Sequence, residues 1–185
     1  DIVNKIMEIW GDDIIEYEGP INDYHHQLLF DVKKVVKKGL YYRKYRHCVD
    51  FSKKALDNFK YRVQSFPEQK MIGDDFFNLR GEYDLILEQT FFCAIAKEKR
   101  SKYAQHVHSL LSPKGKLVGL LFNAPMYEDH PPFGGTSEEY RKYFEPFFNF
   151  KVFKACNNSI LPRNGKELFI NLIKKTSISL SGVRG

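Results

Sequence analysis

The chain of 185 residues is long enough for one domain with a full hydrophobic core, and its 43% hydrophobic and 28% charged residues are ordinary for a globular protein. No apolar run reaches transmembrane length, no signal peptide is visible, and three widely spaced cysteines form neither a disulfide framework nor a zinc pattern. We therefore expect a cytoplasmic protein without a membrane partner. The net charge of +6 is concentrated in residues 31–63, which hold eleven Lys and Arg residues against three Asp residues.

Most of this charge lies in residues 28–47 (LLFDVKKVVKKGLYYRKYRH). Val32, Val35, Val36 and Leu40 could form the apolar face of a helix with lysines outside. The second half, YYRKYR, mixes basic and aromatic residues in a pattern that some nucleic-acid-binding proteins use. Because a basic run is most often a solvated face, we regard nucleic-acid binding as the least favoured function.

Strand and helix patterns alternate from residue 45 onward. Strands are predicted at residues 45–50, 69–72, 84–87 and 116–122, and helices after the N-cap Ser52, at residues 97–111, and from the Thr136–Glu139 capping box to about Phe144. Residues 148–156 and 167–174 alternate enough to form an antiparallel hairpin. The alternation predicts one α/β domain at residues 1–175 with a mainly parallel sheet and a C-terminal antiparallel hairpin, followed by a tail at 176–185.

A group of polar and aromatic residues follows the apolar run at residues 84–87. Glu88, Gln89, Phe91 and Phe92 stand at the carboxyl end of this predicted buried strand, where open α/β sheets bind ligands. The alternative is that both phenylalanines belong to the core and that Glu88 caps the next helix. The pattern favours neither interpretation over the other.

Four segments of the chain carry a resemblance to a known family. They are YDLILEQTFFCAI, LLSPKGKLVGLLFNAP, HPPFGGTSEEYRKYFEP and NSILPRNGKELFI. Over residues 48–174 the chain resembles the thiopurine S-methyltransferase-like family, and within it the bacterial and plant thiol or halide methyltransferases. The resemblance implies a Rossmann-like fold and S-adenosylmethionine as cofactor. It also implies an enzyme that methylates a small thiol, a thiopurine-like compound or a halide-type anion, and we expect it to be monomeric.

The resemblance assigns cofactor contacts to residues after three strands. Asp50, with its neighbour Phe51, would meet the ribose, because a carboxylate can accept hydrogen bonds from both hydroxyls. Asp75 and Phe76 would meet the adenine, and Glu88 would lie near the methionine end. The structural alternatives are a helix cap for Asp50 and a turn with core aromatic residues for Asp75 and Phe76.

Residues 123–136 are rich in Pro and Gly and are predicted to form a long loop that covers the acceptor. We expect an acceptor pocket formed by Gln89, Phe91, Phe92, His130 and Phe133, without an evident general base. We expect no metal site, because the histidines lack the spacing of metal ligands. Thiolates and halides are already ionised near neutral pH, so an aromatic pocket that positions them and excludes water would suffice.

One expected feature of the family is missing. A glycine-rich loop normally follows the first strand, but Gly39 is the only glycine between Gly19 and Gly73. Residues 28–47 are too short for a strand, a glycine loop and a helix. Three interpretations stay open: a real divergence, a deletion or wrong reading frame in the source sequence, or a new basic surface. We predict that the adenosine half of the site is kept and the methionine half impaired, with a non-catalytic relic of the fold as the alternative function.

Overall fold

The computed structural model describes residues 27–31, 45–62, 64 and 66–176. Within these residues it contains seven β-strands and three α-helices. In chain order they are β1 (Gln27–Asp31), β2 (Tyr45–Val49), α1 (Lys53–Arg62), β3 (Met71–Ile72), β4 (Tyr83–Gln89), α2 (Arg100–Leu110), β5 (Leu111–Phe122), α3 (Ser137–Phe144), β6 (Phe148–Ala155) and β7 (Glu167–Lys174). Three predicted features lie largely or wholly outside the described residues. They are the helix considered for Val32–Leu40, the basic and aromatic segment YYRKYR except for its last two residues, and the proposed tail except for its first residue.

The strands form one sheet in the order β3-β2-β1-β4-β5-β7-β6. The central strands β4 and β5 are parallel neighbours, and β2 pairs with β3 in parallel. β7 pairs antiparallel with both β5 and β6, so β6 and β7 form the antiparallel hairpin that the sequence predicts. Five of the described strands thus share one direction, which confirms the predicted α/β class, and β1 and β7 run the other way, so the sheet is mixed.

The first described strand runs against both strands beside it. β1 is antiparallel to both of its neighbours: Leu28 faces Cys48 of β2 and Leu87 of β4. Its first residue therefore lies at the edge where β2 and β4 end. A strand of a mainly parallel sheet would instead finish at that edge and lead into a loop and crossover helix. β1 thus departs from the arrangement that the family resemblance implies.

Helices α2 and α3 cover one face of the sheet and build the core there. Tyr103 and Val107 of α2 and Phe144 of α3 are fully buried, together with Leu117 of β5 and Ile170 of β7. These side chains follow the helical and strand periods that direct apolar residues to a single face. The core fixes the helices against β4 and β5, the two strands that carry the loops described below.

Two predicted helix starts are present. The Ser52 hydroxyl accepts a hydrogen bond from the Ala55 N–H at 3.3 Å, and the Thr136 hydroxyl accepts one from the Glu139 N–H at 3.2 Å. Each cap satisfies a backbone donor that the first helical turn leaves unpaired. The helix predicted at residues 97–111 is a short 3₁₀ turn at Lys97–Lys99 followed by α2.

Candidate cofactor and acceptor site

The strands that run in the common direction bring several predicted site residues to one edge of the sheet. Asp50 follows β2, Asp75 follows β3, and Gln89 is the last residue of β4. The Asp50 N–H donates to the Ile72 carbonyl at 3.1 Å, which holds the chain after β2 against the end of β3. Carboxylates and an amide thus gather at the carboxyl ends of neighbouring strands, where open α/β sheets bind ligands.

Asp50 organises the turn between β2 and α1. Its Oδ1 atom accepts a hydrogen bond from the Ser52 N–H at 2.7 Å, and its side chain is half-buried. Asp50 and Ser52 therefore both accept backbone hydrogen bonds at the start of α1, which matches the helix-cap alternative for Asp50. Phe51 is 85% exposed and points away from the core. The ribose contact of these two residues stays a prediction.

Asp75 and Phe76 form the turn after β3. The Asp75 carboxylate accepts from the Phe77 N–H at 2.9 Å and caps the 3₁₀ turn Phe76–Asn78. The Phe76 ring is buried, and its centroid lies 5.0 Å from that of Phe91. The fold thus brings a residue predicted for the adenine and one predicted for the acceptor pocket into direct contact, although their contacts with ligand stay predictions.

Glu88 is fully buried, and its carboxylate holds the loop that follows β4. Its Oε1 atom accepts from the backbone N–H groups of Phe91 at 3.0 Å and Phe92 at 2.9 Å, while Oε2 accepts from the Tyr103 hydroxyl at 2.6 Å. Burial raises the pKa of Glu88 to about 7, although its three hydrogen bonds oppose the increase. These contacts match the capping alternative for Glu88.

The loop held by Glu88 turns sharply. Thr90 adopts a φ of 64°, which is uncommon for a β-branched residue, and the Cys93 thiol donates to the Thr90 carbonyl at 3.1 Å. Burial, followed by the charge of Glu88, raises the pKa of Cys93 to about 12. The thiol is therefore protonated at neutral pH, which makes it a poor nucleophile.

The two phenylalanines of this loop differ in their surroundings. Phe92 is 1% exposed and packs against Tyr103, Tyr140 and Phe144, so its contacts match the core alternative. Phe91 is half-buried and remains partly accessible. Of the pair, Phe91 is the residue that a ligand at this edge could reach.

Gln89 carries an unsatisfied buried atom. Its Oε1 has no hydrogen-bond partner among the described residues. Buried polar atoms are usually paired, so an orphaned acceptor at this edge fits a ligand that presents an N–H or O–H donor. Asp50 and Asp75 lie at the same edge, and their contact with the adenosine end of S-adenosylmethionine stays a prediction. The described residues do not include a glycine loop for its methionine end, because β1 starts at this edge instead of ending there.

The loop at residues 123–136 is anchored at one end and exposed at its tip. The Phe133 N–H donates to the Cys93 carbonyl at 2.7 Å, which joins this loop to the one after β4. At the tip, Tyr127 and His130 are exposed, and their rings lie 4.1 Å apart. His130 therefore lies at the exposed part of the loop. The half-buried Phe133 is hydrogen-bonded to Cys93, which comes two residues after Phe91 in the sequence.

Sequence analysis missed Arg100, the first residue of α2. Its side chain is fully buried and donates to the carbonyls of Phe133 at 3.0 Å and Gly134 at 2.9 Å. The sequence contains one signal for the burial of Arg100, which is its spacing of three residues from Tyr103. This spacing places both side chains on the inner face of the helix.

Neither a metal site nor a membrane helix is found among the described residues. No group of three or more His, Cys, Asp or Glu side chains there could hold a metal ion. None of the described helices has the length and apolar character needed to cross a bilayer.

Two solved structures have a similar fold. The N-methyltransferase NodS from Bradyrhizobium japonicum, in complex with S-adenosyl-L-homocysteine, aligns with a TM-score of 0.54 and 13% identity over 68% of this chain and 64% of that one. A TehB-like SAM-dependent methyltransferase from Corynebacterium glutamicum aligns with a TM-score of 0.52 and 16% identity over 69% and 66%. At these identities the likeness supports a Rossmann-like methyltransferase fold and nothing finer.

Sequence relatives define the family. Probable thiol methyltransferase 2 of Arabidopsis thaliana is 32% identical over 66% of this chain and 58% of its own length. Thiocyanate methyltransferase 1 of Brassica oleracea is 32% identical over 64% and 55%. The chain thus spans little more than half the length of these relatives. A sequence profile described as Thiopurine S-methyltransferase (TPMT) matches residues 45–180, and on this match over most of its length the chain belongs to the thiopurine S-methyltransferase family.

Proposed function

We propose that this protein transfers a methyl group from S-adenosylmethionine to a small thiol, thiopurine-like or halide-type acceptor. S-adenosylmethionine is the cofactor of the family, and it supplies a methyl group that is already activated as a sulfonium. The observation that supports this acceptor class is the placement of two half-buried aromatic residues, Phe91 and Phe133. They lie on two loops that are joined by the hydrogen bond from the Phe133 N–H to the Cys93 carbonyl.

The charged groups near these loops also favour an acceptor that needs no proton transfer. Glu88 has a pKa of about 7, a value suited to a general base, but both of its oxygens already accept hydrogen bonds from buried donors. Its full burial separates it from any ligand in contact with Phe91. Thiolates and halide-type anions react without such a base when they are positioned and desolvated.

The proposal extends to partners and compartment. The relatives named above are a thiol and a thiocyanate methyltransferase, which supports a small-molecule acceptor over nucleic acid. Cys48, Cys93 and Cys156 are buried and form no disulfide, which suits a reducing compartment such as the cytoplasm.

A second candidate is a relic of the fold with impaired cofactor binding. The direction of β1 favours it, because an antiparallel β1 does not deliver its carboxyl end, and the loop after it, to the cofactor edge. The two candidates differ in whether methyl transfer occurs at saturating cofactor.

The test of the proposed function is a transfer assay with methyl-labelled S-adenosylmethionine at saturating concentration. We expect label in small thiols, iodide or thiocyanate, and little in nucleic acid or protein. Preferential labelling of a macromolecule would contradict the acceptor class. Absence of transfer to every acceptor would favour the relic.

Phe91→Ala tests the pocket in the same assay. We expect it to lower acceptor methylation by about tenfold or more, since it removes an aromatic wall worth about 1.5–3 kcal/mol of apolar contact, and to leave cofactor binding in place. The control is Phe153→Ala in β6, a half-buried phenylalanine that packs near Arg141 and Phe150. Equal losses in the two variants would show that Phe91 acts through general stability and not through the pocket.

A further inference from the structure

We propose that Arg100 is a positioning residue that fixes the loop at residues 123–136 and thereby sets acceptor affinity. The role in affinity rests on the proposed function, whereas the role in holding the loop does not. Arg100 begins α2, and its side chain is fully buried between that helix, the loop and α3.

The guanidinium binds two consecutive carbonyl groups of the loop. One terminal nitrogen donates to the Gly134 carbonyl at 2.9 Å, and the other donates to the Phe133 carbonyl at 3.0 Å. The first nitrogen also lies 3.3 Å from the Glu139 carboxylate of α3. A planar fork of donors suits two adjacent acceptors, and hydrogen bonds from a charged donor are stronger than neutral ones.

The same guanidinium also contacts the loop after β4. It lies 4.8 Å from the centroid of the Phe92 ring and 5.3 Å from that of Tyr140. The Phe92 backbone is held by Glu88 at 2.9 Å. Arg100 therefore contacts the loop that carries Phe91 through the Phe92 ring, and it binds the loop that carries Phe133 through two backbone carbonyls.

Stability alone does not account for this arrangement. Burying a guanidinium is costly, and apolar residues of similar volume often replace buried ion pairs without loss of stability. The Arg100 Nε atom has no hydrogen-bond partner among the described residues, and Glu139 is partly exposed, so the burial is only partly compensated. What the arginine adds over a methionine is the directed pair of bonds to the loop.

The segment that Arg100 holds is closely fitted to its surroundings. A Cβ atom on Gly134 would lie 2.4 Å from the Ala124 oxygen and 2.5 Å from the Met126 nitrogen. The Gly135 N–H donates to the Ala124 carbonyl at 3.2 Å, which closes the base of the loop. A shift of this base would displace the adjoining Phe133 and the exposed tip with Tyr127 and His130.

The experiment compares Arg100→Met and Arg100→Lys with Arg141→Met in the whole chain. Arg141 is a suitable control, because its guanidinium also stacks on two rings, Phe150 and Phe153, at 4.8 and 5.0 Å. Hydrogen–deuterium exchange is measured across the chain, and acceptor KM and kcat are measured at saturating cofactor with thiocyanate and iodide.

We expect Arg100→Met to accelerate exchange in peptides covering residues 123–136 by about tenfold or more, because two charge-assisted bonds are lost. Exchange in β5 and β7 should be unchanged. Acceptor KM should rise by a similar factor with a smaller change in kcat. Arg100→Lys should give an intermediate result, because an ammonium cannot present the same fork of donors, and Arg141→Met should match the wild type.

Two results would overturn the proposal. Exchange that rises evenly over the chain, or not at all, would show that Arg100 does not hold the loop. Faster loop exchange with an unchanged acceptor KM would show that the held loop does not set acceptor affinity. If the wild type transfers no methyl group, the proposed function and the effect on affinity both fail, and exchange alone decides whether Arg100 anchors the loop.

Discussion

Gly119→Ala should destabilise the protein by about 4 kcal/mol, at the upper end of single-substitution effects. A Cβ atom at this position would lie 2.0 Å from the Glu88 carbonyl oxygen and 2.6 Å from the Glu88 Cβ. These are backbone and near-backbone atoms of β4, which cannot move aside without breaking its pairing with β5. The added methyl group would separate the two central strands at the place where Glu88 holds the following loop.

Chemical denaturation of Gly119→Ala and Gly73→Ala measures this effect. Gly73 is the matched control, because a Cβ atom there would meet Leu56 at an ordinary 3.5 Å. We expect Gly73→Ala to lie within about 1 kcal/mol of the wild type. Similar stabilities for both variants would mean that β4 and β5 are not packed as closely as the structure has them.

Glu88→Ala should cost about 3–5 kcal/mol of folding stability. It would leave the buried N–H groups of Phe91 and Phe92 and the Tyr103 hydroxyl without their acceptor, and each such loss costs about 1–3 kcal/mol. Glu88→Gln is the control, because its amide oxygen can still accept from the two N–H groups while its amide nitrogen faces the hydroxyl oxygen of Tyr103.

The two variants also test the pKa of Glu88. Burial raises it from an ordinary value of 4.5 to about 7, so the folded state holds a proton that the unfolded state releases over this range. The stability of the wild type relative to Glu88→Gln should therefore be highest below pH 4.5 and fall by about 3 kcal/mol as the pH rises to about 7. A difference that does not vary with pH would show that Glu88 titrates normally.

The sequence predicts the arrangement of β4, β5 and the final hairpin, because their apolar runs and turn residues are local signals. It also locates the caps at Ser52 and Thr136, since capping depends on neighbouring residues. The direction of β1 could not be predicted from the sequence. Leu28 can pair with Cys48 or Leu87 in either direction without a change in the apolar pattern of the strand.

The candidate site is only partly readable from the sequence. Asp50, Asp75 and Gln89 reach one edge because they follow strands, which the pattern shows. Glu88 turns back to bind its own loop, as the capping alternative predicts, whereas its tertiary contact with Tyr103 has no signal in the sequence. Arginine is seldom fully buried, so composition gives no reason to place Arg100 in the core.

We propose that the chain keeps the adenosine end of its family's cofactor site beside β2 and β3. Calorimetric titration with S-adenosylhomocysteine and with adenosine tests it in the wild type, in Asp50→Ala and in the control Asp57→Ala. Asp57 is an exposed carboxylate of α1 that pairs with Lys53 at 3.3 Å.

We predict weak binding of both ligands with similar affinity, because the glycine loop for the methionine end is missing from the sequence. Asp50→Ala should weaken both by about tenfold or more, through loss of a charged hydrogen-bond acceptor, whereas Asp57→Ala should have no effect. Tight binding of S-adenosylhomocysteine that far exceeds that of adenosine and is unaffected by Asp50→Ala would contradict the account.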